Sequence, residues 1–234
     1  MPGAGAPQSL IVSLHIPKTG GTSFAAVLEA AFPGAVAYFY HSRNPATHPL
    51  LKNRAKVMEP GLLRELEESG IKVIHGHGPA RQFLSAIPDP ARYWTWVREP
   101  VERVVSTYYY QQGRMERFQE VEESARPRNK LRGRPIWRFA ERGPNRNLQS
   151  RLLAGLDIEQ MGFLGVTERF DESLALAGLP LLPRDDTRNV NTSRPPTGNQ
   201  MRRIIAGYNE ADAHLYMRAV ALHELKLRQR LAAV

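Results

Sequence analysis

Three short stretches of this chain bring together residue types that can handle an anion and a proton. The first is H-I-P-K-T-G-G-T-S at residues 15–23. Its adjacent glycines, Gly20 and Gly21, let backbone N–H groups come close to an anion. Pro17 and Lys18 precede them, with Lys18 as a point charge, and Thr19, Thr22 and Ser23 add hydroxyl donors. The second stretch runs from Arg98 to Ser106, R-E-P-V-E-R-V-V-S. There a guanidinium able to grip phosphate bidentately is followed by a hydroxyl in the next helix. The third is H-G-H at residues 75–77. Histidine suits a general base near neutral pH, and the i, i+2 spacing puts His75 and His77 on one face of an extended chain. No third ligand accompanies them in the sequence, which argues against a metal pair.

Each stretch needs an element to aim it. Residues 9–15 (SLIVSLH) are a short, β-rich apolar run of the kind that forms a buried parallel strand, and the glycine loop and the helix SFAAVLEAAF follow, closed by Pro33 and Gly34. Further strands are expected at 35–40, 71–75, 93–97 and 163–167, and helices at 62–70, after Pro100, at 136–142, 147–155 and 168–178, with one or two more over 199–232. All three stretches then follow strand ends, the edge at which open α/β sheets bind ligands. The alternation predicts a single α/β domain over 1–234, three-layered with a mainly parallel central sheet. Residues 114–135 read as a charged insertion, mobile or facing substrate, and 179–198 as a Pro-rich loop.

The chain has 234 residues, a formal net charge of +9 and no cysteine. Disulfides and thiol chemistry are thereby excluded, and the charge favours polyanionic partners. No apolar stretch approaches the roughly 18 residues of a membrane span. The N-terminus lacks the basic start of a signal peptide. A cytoplasmic protein, at most peripheral to a membrane, is expected.

The order of residues in the first loop decides its type. A Walker A loop places its lysine after the glycines, whereas Lys18 precedes Gly20 and Gly21. P-K-T-G-G-T-S resembles the 5′-phosphosulfate loop of sulfotransferases that use 3′-phosphoadenosine-5′-phosphosulfate (PAPS), in particular the glycan branch containing heparan sulfate 2-O-sulfotransferase. R-E-P-V-E-R-V-V-S-T-Y-Y resembles that branch's 3′-phosphate motif, and H-G-H stands where the branch carries its base. The resemblance implies a P-loop-like sulfotransferase fold and a metal-free transfer that leaves 3′-phosphoadenosine-5′-phosphate (PAP). It assigns the phosphosulfate to Pro17–Ser23, the 3′-phosphate to Arg98 and Ser106, and the base to His77, with His75 in support.

Three weaker matches extend the resemblance. N-x-Q-x-R at Asn147, Gln149 and Arg151 looks like a helix that approaches the acceptor; an Asn helix cap explains it equally well. G-V-T-E-R-F puts Thr167 and Arg169 near the adenine. R-N-V-N-T-S-R-P-P makes Thr192, Ser193 and Arg194 candidates for a loop closing over the nucleotide. The expected acceptor is a hydroxyl of an anionic glycan or glycolipid, and nucleic acid is not expected as a partner. Two other readings compete: a kinase with a variant phosphate loop, and a non-catalytic polyanion-binding module.

Overall fold

The structure is a computed structural model that describes residues 9–53, 59–119, 134–183 and 195–233. Five strands form its sheet: β1 (Ile11–Leu14), β2 (Val36–Phe39), β3 (Val73–Gly76), β4 (Tyr93–Val97) and β5 (Phe163–Val166). They lie in the order β2-β3-β1-β4-β5, and every pairing is parallel. The helices are α1 (Gly21–Ala31), α2 (Pro60–Glu68), α3 (Pro100–Gln119), α4 (Ile136–Ala140), α5 (Leu148–Leu152), α6 (Phe170–Leu176), α7 (Asn199–Gly207) and α8 (Glu210–Ala232). The five strands and the alternating helices expected from the sequence are all present.

Strand side chains alternate between two buried layers. Val73, Trp96 and Phe163 meet Phe24, Val27 and Leu28 of α1 and Phe170 and Leu174 of α6. Val12, Leu14 and Ile74 face the other way, with Leu63 and Leu66 of α2 and Ala219 of α8 in the same cluster. A third cluster joins Val101, Val104 and Val105 of α3 to Phe139 of α4 and Ile205 of α7. Both sheet faces are thus covered, as an all-parallel sheet requires.

From β1 the chain moves outward to β2, fills the gap with β3, and then crosses to the far side of β1 with β4. The order therefore reverses between β1 and β4. At such a reversal the loops leaving two neighbouring strands diverge and leave a crevice at their C-terminal ends. Loop 15–20 leaves β1 there, and Arg98 directly follows β4.

Arg103 of α3 is a buried charge. Its place in a charged helix start suggests a solvated face, but its side chain is 0% exposed and 4.0 Å from Asp212, also 0% exposed. Burial lowers its pKa to about 10, with Asp212 acting in the opposite direction. The charged insertion is also partly helical, since α3 runs on to Gln119; residues 120–133 of it lie outside the described residues.

Candidate active site

Loop 15–20 is braced by its own backbone geometry and internal bonds. Lys18 adopts a left-handed backbone (φ 70°), unusual for a residue with a side chain, and Gly20 does the same at φ 86°. Thr19 is buried, and its hydroxyl donates to the Ile16 carbonyl at 2.9 Å. That corrects its expected role: the Thr19 hydroxyl braces the loop from inside instead of facing an anion. Gly20 is the N-cap of α1, and no side chain caps the helix. The first amide bonded back to the cap is that of Phe24, so the amides of Gly21, Thr22 and Ser23 leave the helix end unpaired within it. Thr22 and Ser23 are exposed in this first turn. Aligned peptide dipoles add partial positive charge at the same place.

Gly21 has a second use. A Cβ there would fall 2.0 Å from the His15 ring. The missing side chain makes room for a histidine that the sequence reading passed over, although it opens the loop motif directly after β1.

Three imidazoles meet beside the loop. His15 stacks on His77 (centroids 4.3 Å apart, 27° between planes) and on His75 (5.3 Å, 19°). His75 is 1% exposed, and its Nδ1 lies 2.8 Å from the hydroxyl of Ser13, its register partner across the β1–β3 ladder. Burial first, and then His77, holds His75 at a pKa of about 3. Burial, then His77 and His75, holds His15 at about 2. Both rings are neutral near pH 7. His77 sits half-buried just past the end of β3, with its Nδ1 2.8 Å from the His15 carbonyl. A carbonyl only accepts, so Nδ1 carries the hydrogen and the basic lone pair lies on Nε2. Tyr40 stands 5.2 Å from the His77 ring and 6.4 Å from the His15 ring, and stacks on Tyr38 at 5.8 Å.

Arg98 reaches the same loop from β4. Its NH1 donates to the Lys18 carbonyl at 3.1 Å, and its Nε lies 3.9 Å from Glu168. The Arg98 main chain is gripped from behind by Gln149: Oε1 accepts from the Arg98 N–H at 2.8 Å, and Nε2 donates to the Arg98 carbonyl at 2.9 Å. Gln149 is 0% exposed. Its expected contact with an acceptor gives way to a positioning role, because both ends of the amide are engaged inside the protein.

Gln149 is seated in turn by α8. Asp212 accepts from the amides of Gln149 and Ser150 at the start of α5, while the Asn147 side chain accepts from the Asp212 amide at the start of α8. The two helices cap each other. Asn147 is a capping residue, but the helix it caps is not its own. Arg151 is exposed and donates to the carbonyls of Gly143 and Arg146.

Thr167 also ties the crevice walls. Its hydroxyl lies 2.9 Å from the carbonyls of Thr19 and of Val97, so it bridges the loop and the end of β4. Arg169 turns to carboxylates, Glu224 at 2.9 Å and Glu172 at 3.9 Å. The Lys18 ammonium lies 4.1 Å from the ring centroid of Tyr110 on α3, and burial, then Arg98, lowers its pKa. Ser106 precedes Tyr110 by one helical turn, which puts it on the face of α3 that meets the loop. Thr192, Ser193 and Arg194 lie outside the described residues.

This arrangement can hold two anionic groups, one at the α1 N-terminus and one at Arg98, beside a histidine whose basic nitrogen is defined. Residues 5–154, more than half the chain, match the model of the sulfotransferase family. The chain belongs to the sulfotransferase family. The match spans β1 to the end of α5, so it takes in the loop, the three histidines, Arg98 and Gln149, and ends before Thr167. No curated protein matches this sulfotransferase-family chain. Among solved structures, the mouse sulfotransferase SULT7A1 complexed with PAP is similar at 11% identity and a TM-score of 0.40. That likeness covers 92% of this chain, which spans 66% of the mouse protein's length. Among the described residues, no helix is long and apolar enough to cross a membrane.

Proposed function

We propose that this protein transfers the sulfuryl group of PAPS to a hydroxyl group of a carbohydrate, with His77 as general base. The observation that carries the reading is the meeting of Arg98 with the Lys18 carbonyl at 3.1 Å. It joins, across the sheet reversal, the two sequence motifs that resemble the 5′-phosphosulfate and 3′-phosphate sites. The cradle fits such a ligand: the helix end lacks a side-chain cap, and the amides of Gly21, Thr22 and Ser23 are unpaired within the helix.

Lys18, the Gly21–Ser23 amides and the hydroxyls of Thr22 and Ser23 would hold the phosphosulfate. Arg98 and Ser106 would hold the 3′-phosphate. PAPS supplies an activated sulfuryl group whose bridging S–O bond breaks as PAP leaves. His77 Nε2 takes the acceptor's proton, and the freed electron pair on oxygen forms the new O–S bond. Lys18 and the helix-end amides stabilise negative charge growing on the sulfuryl oxygens and the leaving phosphate. Fixing both phosphates aligns donor and acceptor before reaction.

His77 is favoured over His75 as base because His75 is fully buried and paired with Ser13, whereas His77 is half-buried with its lone pair on Nε2. The Tyr40 ring beside His77, with Tyr38 stacked on it, and the net charge of +9 support an anionic glycan or glycolipid as acceptor.

Labelled PAPS incubated with a panel of glycans, glycolipids and phenols tests the transfer, alongside calorimetry with PAP. Label in a glycan and PAP binding that is lost in Arg98→Ala are expected. Failure to bind PAP would sink the reading, and label confined to phenols would overturn the carbohydrate assignment.

A further inference from the structure

His15 touches His77 in two independent ways. Its carbonyl accepts the His77 Nδ1–H at 2.8 Å, and its ring lies against the His77 ring at 4.3 Å. The first contact selects the tautomer, and the second fixes the plane of the ring. His15 is itself immobilised. Its N–H donates to the Gly76 carbonyl at 2.8 Å, and its ring occupies the space left by Gly21 and stacks on His75. The residue between, Gly76, can carry no side chain, since a Cβ would lie 1.7 Å from the Phe39 carbonyl oxygen, and His77 N–H donates to that same carbonyl at 2.8 Å. The base is therefore held to β2 by its own amide and to β1 by its ring.

We propose that His15 is the positioning residue of the base: its carbonyl and ring together hold His77 with Nε2 as the proton-accepting atom. This rests on the reading of His77 as the base. His15 does not meet the acceptor's proton itself; it acts through His77. As His77 takes up a proton, the ring of His15 lies against the new imidazolium. Because His15 also opens loop 15–20, the residue that orients the base is continuous with the cradle that holds the donor.

A double-mutant cycle separates this role from a general loosening of the loop. His15→Ala is expected to lower kcat about 10–100-fold, a magnitude taken from the loss of partners that orient metal-ligating histidines. The KM for PAPS and the affinity for PAP stay within about twofold, because positioning acts on the chemical step. In a His77→Ala background the same change should cost nothing further. His15→Phe, which puts a flat ring back against His77, should restore most of kcat. Nitrogen-15 histidine NMR of the ligand-free wild type should find His77 protonated at Nδ1, and His15→Ala, which keeps the main-chain carbonyl, should keep that tautomer.

Additive losses across the cycle, a fall in PAP affinity in step with kcat, or an Nε2–H tautomer in the wild type would each overturn the proposal. Full turnover by His77→Ala would instead remove the base assignment on which it stands. If His15→Ala does not fold, His15→Phe and the wild-type spectrum still decide.

Discussion

The two sides of β1 place their functional groups by different means. On the β3 side, His77 is set by main-chain groups, the carbonyls of His15 and Phe39. On the β4 side, Arg98 is set by a relay of side chains that runs from Asp212 on α8 through the start of α5 to Gln149. Main-chain anchorage survives most substitutions, so on this side only the packing of the His15 ring against His77 is open to a side-chain change. A side-chain relay depends on the identity of each member, and one change at its far end should reach Arg98.

The comparison is sharpest at the groups themselves. His77→Ala should reduce kcat by about 10²–10⁴, the ordinary worth of a general base, while calorimetry finds PAP affinity retained. Asp212→Ala strikes the far end of the relay. It leaves the buried Arg103 without its carboxylate and uncaps α5, so a loss of about 3–5 kcal/mol is expected in denaturant unfolding, with weaker PAP binding in the protein that stays folded. An unchanged PAP affinity there would break the idea of a relay.

Gln149→Met preserves volume but strips both bonds from the Arg98 main chain. Leaving those buried groups unsatisfied costs about 1–3 kcal/mol. PAP affinity should fall while the kcat of the saturated enzyme changes less, the reverse of His77→Ala.

The histidine side also has a pH signature. His75 is held at a pKa of about 3 by burial and then by His77, whereas an unfolded histidine titrates near about 6.5. The folded-state pKa is depressed, so the unfolded chain binds the proton first as pH falls. Stability from this group is complete above about pH 6.5 and is lost toward pH 3, with a slope of about 1.4 kcal/mol per pH unit. Denaturant melts of His75→Asn between pH 7 and pH 4 should show a shallower fall than the wild type. The smallest effect is expected at Tyr110→Leu, where removing a part-exposed cation–π contact worth about 0.5–1 kcal/mol should shift the KM for PAPS only a few-fold.

How much of this was legible in the sequence divides along the same line. The strands, the glycine loop and the H-G-H pair are local signals, carried by β-rich runs and by glycine and proline punctuation. Placing motifs after strand ends was enough to bring loop 15–20, His77 and Arg98 to one crevice. What escaped depended on partners far away in sequence. Arg103 reads as a surface charge until Asp212 is beside it, and Gln149 reads as a surface amide until Arg98 is. Asn147 was legible as a cap, but its helix was not. His15 offered one signal, a third histidine directly after β1. The space that Gly21 leaves for its ring exists only once α1 folds back over the strand.

Lys18 carries a consequence for engineering. A left-handed backbone at a residue with a Cβ is less favourable than at glycine by about 1–2 kcal/mol, and Lys18 sits there at φ 70°. Lys18→Gly would relieve that strain and at the same time remove the ammonium from the loop. On the proposed role of Lys18, a library screened for thermal tolerance alone would therefore enrich this substitution at the expense of turnover. Any stabilisation campaign on this chain should score turnover alongside melting temperature and leave position 18 out of the randomised set.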